Sequence, residues 1–215
     1  MAIELLDEHE QGEVVRNWLK QYGGALFGGA VLGIGMIFGV HQWREHGVQQ
    51  RAQASTQYQV LVDAYESRDF DLAERLSAEL RQKRANTPYA SLAALRDADE
   101  ALKAGDLERS AASLRWVIGN SRDPAMRDLA NLRLARVLLA SGDPDGALAA
   151  SGAVAEGSFS ALVAEVRGDA LLAQGRRAEA VEAYRAGLAG SAGTARGEVL
   201  RLKLEDLADV GGADA

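Results

Sequence analysis

The chain has 215 residues, with 24 Lys and Arg against 31 Asp and Glu, a net charge of −7, 3 prolines and no cysteine. This acidic balance leaves no electrostatic footprint for nucleic acid or anionic lipid headgroups. Without cysteine there is no disulfide framework, thiolate nucleophile or Cys-based metal site.

Ala, Leu, Glu and Arg are abundant and β-branched runs are few, so helix propensity is high nearly throughout and an all-α fold is expected. Residues 1–20 are an acidic tail, five acids against Arg16 and Lys20. Residues 21–43, QYGGALFGGAVLGIGMIFGVHQW, carry no formal charge with His41 neutral, and at about 1.5 Å per residue they match a hydrocarbon core of about 30 Å. Tyr22 and Trp43 bracket the run as interfacial aromatics do. Its seven glycines argue against a soluble core helix. The acidic tail before it and REHG after it argue against a cleaved leader.

Gly24, Gly28, Gly35 and Gly39 share one side of this helix and form a candidate contact for another membrane helix. The flanking bases do not orient the segment, since Arg16 and Lys20 are matched by Arg44 and Arg51. From Arg44 to about Tyr65 the pattern reads as continuous helix, leaving the membrane and becoming the first helix of the C-terminal body.

Residues 44–210 read as a repeat array. Turns near Arg68, Gly105, Gly142 and Gly175 are 37, 37 and 33 residues apart, close to the tetratricopeptide period of about 34. Small residues recur in register: Ala73, Ser110, Ala147 and Ala180 after the turns, and Ala98, Ala135 and Gly168 before the last three. Such positions let paired helices cross closely. The large aromatic expected early in each first helix is missing, so the repeats are divergent. Asn86–Pro88 and Ser121–Pro124 read as helix starts. Residues 198–210 read as a capping helix, and 211–215 as a frayed end.

The first helices of such pairs line a concave surface. Tetratricopeptide spacing assigns to it Leu92, Leu95, Asp99 and Leu102, then Leu129, Leu132, Arg136 and Leu139, then Leu162, Asp169 and Leu172. Leucine rungs with charges between them suit an extended apolar or amphipathic segment, whose polar groups would meet Asp99, Arg136 and Asp169. The three histidines, His9, His41 and His46, lie outside the repeats, and the glycine-rich run Gly23–Gly33 belongs to the anchor. No enzymatic activity, catalytic residue, cofactor, metal or small-molecule substrate is therefore expected.

The acidic tail, the segment EVVRNWLKQYGGALFGGAVLGIGMIFGVHQWREH, the divergent repeats and the closing LKLEDLA at Leu202–Ala208 together resemble the YfgM family, ancillary subunits of the SecYEG translocon in Gram-negative bacteria. The resemblance implies an inner-membrane protein with a cytoplasmic N-terminus and periplasmic repeats. It also implies association with SecYEG and a PpiD-like periplasmic chaperone, contact with translocating secreted proteins, and a link through the tail to a cytoplasmic response regulator. A membrane-anchored scaffold that assembles another envelope complex without handling clients is the alternative function.

Overall fold

The computed structural model describes residues 8–157 and 159–213, so the first seven residues of the tail and the last two of the chain lie outside the described residues. The chain divides into two units, Met1–Gln50 and Arg51–Ala215. Helix α1, Glu8–Glu66, runs through both. Its described part reaches back into the acidic tail; no proline interrupts the sequence before Pro88, and an established helix gains one hydrogen bond for each residue added.

In the first unit, Trp18–Phe38 is long and apolar enough to cross a membrane. Phe27, Leu32, Met36 and Phe38 are 73–76% exposed, the reverse of a soluble core helix, whose apolar face is covered. Trp18 and Tyr22 lie at its start with ring centroids 5.8 Å apart.

In the second unit the helices pair. Residues 51–66 of α1 pack with α2 (Phe70–Lys83). Next come α3 (Pro88–Lys103) with α4 (Leu107–Asn120), α5 (Pro124–Ala140) with α6 (Pro144–Gly152), and α7 (Ser160–Ala173) with α8 (Arg177–Ala189). The last helix, α9 (Ala195–Ala213), packs on α8 and α7. The final glycine pair does not end it at Val210, so the frayed end expected from 211 is helical through Ala213. Helix propagation outweighs the propensity cost of Gly211 and Gly212 there.

The pairs share one turn geometry. Arg68, Gly105, Gly142 and Gly175 have φ of 62°, 78°, 81° and 75°. The next residue donates its N–H five positions back, as in Asp106 to Ala101 (2.9 Å) and Asp143 to Leu138 (2.9 Å), which is the Schellman closure of a helix end. Asp69, Asp106 and Asp143 then cap the second helix, accepting from the N–H groups of Leu72, Arg109 and Gly146. In the fourth turn Arg176 replaces the aspartate and pairs with Glu179 instead.

Small residues hold the pairs together. Ala73, Ala147 and Ala180 are fully buried. Ser110 donates 2.9 Å to the carbonyl of Ala98, so the two small positions of that repeat touch. A Cβ on Gly168 would collide with the ring of Tyr184. The apolar core is continuous across the array, with Trp116 shared by the first two clusters and Leu148 by the last two.

Candidate protein-binding surface

Helices α3, α5 and α7 each pack against their own second helix and against the elements before and after their pair, which leaves each a narrow free stripe. Leu95 and Leu132 are therefore core, 6% and 2% exposed, and are corrected out of the expected groove. Leu129 and Leu162 are partly buried against the same core, and Leu92 is half-buried. Among these leucines, the rung three residues before the second turn is the exposed one. Leu102 is 46% exposed, while Leu139 and Leu172 are half-buried against the core, as Leu129 and Leu162 are.

The charges between rungs are engaged within the chain. Asp99 accepts two hydrogen bonds from Arg133, at 2.9 and 3.0 Å. Arg136 reaches Glu165 at 3.8 Å. Glu165 also takes Arg196 at 2.6 Å, and Asp169 takes Lys203 at 2.5 Å. An ionic ladder thus runs α3 to α5, α5 to α7 and α7 to α9. Asp99 and Asp169 are spoken for and do not await a partner's polar groups; Arg136, at a longer distance and 45% exposed, is the most available of the three. The pairing is visible in register, since Asp99 and Arg133, like Asp169 and Lys203, stand 34 residues apart, one repeat on.

Two further clusters went unread in the sequence. Between the first pair and α3, Asp97 is 1% exposed and accepts from Tyr65, from Ser77 at 2.6 Å and from Arg81 at 3.0 Å. Between α7, α8 and α9, Asp169 accepts from Tyr184 at 2.5 Å as well as from Lys203. Burial, and then the hydrogen bond to the carboxylate, hold both phenols well above their ordinary pKa. These groups are structural: each hydroxyl donates to a carboxylate already matched by a base.

Gly24, Gly28 and Gly35 have no atom near a would-be Cβ, and neither have Gly29, Gly33 and Gly47, so α1 is open there and not on the glycine stripe alone. The surroundings of Gly39 lie outside the described residues. Among the described residues there is no group of three or more His, Cys, Asp or Glu suited to a metal ion.

The site is thus a stripe of leucines beside a self-satisfied ionic ladder, on an array tethered to a bare apolar helix. The tetratricopeptide repeat-like domain family matches residues 16–209. The chain is 32% identical over 204 residues to the ancillary SecYEG translocon subunit of Escherichia coli K12, covering 94% of this chain and 97% of that protein. It is 29% identical over 184 residues to the protein of the same name from Haemophilus influenzae, covering 86% and 89%. With that from Neisseria gonorrhoeae the identity is 27% over 206 residues, covering 94% and 98%. No solved structure is significantly similar to the chain. By its repeat domain and by likeness along nearly its whole length, the chain belongs to the YfgM family of ancillary SecYEG translocon subunits.

Proposed function

We propose that this protein is a non-enzymatic, single-pass inner-membrane subunit that associates with the SecYEG translocon and links export to a PpiD-like periplasmic chaperone. In this reading the acidic tail before Trp18 is cytoplasmic, within reach of a response regulator, and the repeats are periplasmic. The carrying observation is the near full-length likeness to proteins named as ancillary SecYEG translocon subunits. Two features support it. The bare segment Trp18–Phe38 needs a bilayer to cover it, and the open side at Gly24, Gly28 and Gly35 allows close approach of a translocon helix. The leucine stripe at Leu102, Leu139 and Leu172 offers apolar contact for a chaperone or an emerging secreted chain.

The test is purification of the full chain from mild detergent, with detection of SecYEG and the chaperone, together with protease treatment of spheroplasts. Co-purification of both is expected, with the repeats cleaved from outside. Repeats protected in spheroplasts, or purification without SecYEG, would refute this function.

A further inference from the structure

The acidic total of the chain hides two ends of opposite sign. Residues 63–75, 99–109 and 141–146 carry the first three turns of the array and hold eleven acids against four bases. At the other end α1 joins the body, beside the loops after α2 and α4. There residue 51 with 79–87 and 115–128 holds seven bases against three acids. The loop after α6 adds one acid, Glu156, and no base, so the basic stretch is confined to the first two pairs.

These bases are drawn into a row and are largely unmatched. Arg84 donates to Gln53 of α1 at 2.5 Å, and Arg122 of the next loop donates to Asn86 at 3.0 Å. The row therefore runs from α1 across the α2–α3 loop to the α4–α5 loop. Both acceptors are neutral amides, and Arg127 likewise gives its bond to the carbonyl of Ser121 at 3.0 Å. Arg84 is short of acceptors, since its Nε is buried without a hydrogen-bond partner. Arg51, Arg115 and Arg122 are exposed. Arg81 is committed to Asp97 and Lys83 to Glu79. Five arginines then stand against Asp123 and Asp128, which accept the backbone N–H groups of Ala125 and Ala155.

Guanidinium groups suit a phosphodiester, to which they give two parallel N–H bonds. The chain is tied to a surface of that kind. Helix α1 carries the bare span Trp18–Phe38, and Arg51 follows Phe38 by 13 positions of the same helix. A short tether gives lipid headgroups a high effective concentration at the end of the body it enters, so bases that each attract weakly are sufficient in sum. The acidic turns do not cancel this. They stand one helix away, and 14 residues of α2 or α4 span about 21 Å, against a screening length of about 10 Å at 0.1 M salt.

We infer that the basic end of the array docks on the headgroups of an anionic membrane, with Arg51, Arg84 and Arg122 meeting the phosphates and the acidic turns directed away. The absence of a footprint for anionic lipid, expected from total charge, does not hold for this end, because the total averages over both. The inference rests on reading Trp18–Phe38 as a membrane span and makes no use of the translocon.

The chain has no cysteine, so Ala125→Cys at the basic end and Ala104→Cys at the second turn, both exposed, each accept one fluorophore. The full chain is placed in nanodiscs of phosphatidylcholine, alone or with one third phosphatidylglycerol, carrying a trace of lipid with a quenching headgroup. Quenching at position 125 should rise at least twofold with phosphatidylglycerol and return to the phosphatidylcholine level in high salt, while quenching at 104 stays constant. Arg51→Glu with Arg122→Glu should remove at least half of the rise, with helix content and Tm unchanged. The same charge change at Arg75 and Lys103 should leave it intact. Equal quenching in the two lipids, an equal rise at both labels, or no effect of the Arg51 and Arg122 pair would overturn the proposal. So would a pair that loses SecYEG on purification without any lipid dependence, since the row would then meet an acidic protein surface. Incorporation into phosphatidylcholine discs reads the anchor alone, so its failure is told apart from failure of the basic end.

Discussion

The two ends of the repeat array use the same chemistry in different solvent. At the N-terminal end Tyr65 donates to Asp97, matched by Arg81; at the C-terminal end Tyr184 donates to Asp169, matched by Lys203. Asp97 is 1% exposed and Asp169 27%. Water can reach the carboxylate at the second site and not at the first, while Tyr184, like Tyr65, is itself buried, so the two clusters differ chiefly in the burial of the acid.

The largest expected effect breaks the dry cluster. Asp97→Ala leaves Tyr65, Ser77 and Arg81 without their acceptor and should cost about 3–5 kcal/mol, whereas Asp169→Ala strands the buried Tyr184 hydroxyl alone, with Lys203 free to reach water, and should cost about 1–3 kcal/mol. Denaturant unfolding of both variants measures this, and equal losses would break the comparison. At the C-terminal end packing around the ring counts as well. Gly168→Ala pushes a methyl into the Tyr184 ring and should destabilise by about 1–3 kcal/mol, read by the same measurement.

Alkaline pH acts on the buried phenols at both ends, and Tyr65 shows how. Burial raises the Tyr65 pKa in the folded state, so its contribution is complete below about pH 10, the unfolded value, and is lost as pH climbs through the folded value. Tm should fall above about pH 10, and fall less steeply in Tyr65→Phe. Parallel pH profiles for the two proteins would show that Tyr65 plays no part in the loss. The smallest effect concerns the first turn, the one of the four where a side chain bears positive φ. Arg68→Gly relieves it and should stabilise by about 0.5–1 kcal/mol in a thermal melt.

The helical pairing was legible because it rests on local chemistry. The turn residues at 68, 105, 142 and 175 and the small residues around them announce themselves by type and spacing. The surface was less legible, because facing solvent depends on how neighbouring pairs stack. Leu95 and Leu139 look alike in sequence, yet one is core and the other half-buried. Charges misled for a related reason. Asp99 and Asp169 have the spacing of partner-facing groups, but the bases that satisfy them stand 34 residues on, where only the stacked geometry brings them into reach. Asp97 gave no local signal, since a carboxylate in a helix usually faces water. The short α6 was missed because a repeat period counts the distance between turns and says nothing about where the second helix stops.

The central claim, that the array holds export partners while the anchor keeps it at the translocon, is tested most directly by site-specific photocrosslinking in intact cells. Crosslinkers at Leu102, Leu139 and Leu172 of the full chain would be followed by identification of the captured proteins. SecYEG, a PpiD-like chaperone and secreted chains in transit are the expected products. Capture of one unrelated envelope protein from all three positions, with no export component among the products, would contradict the claim.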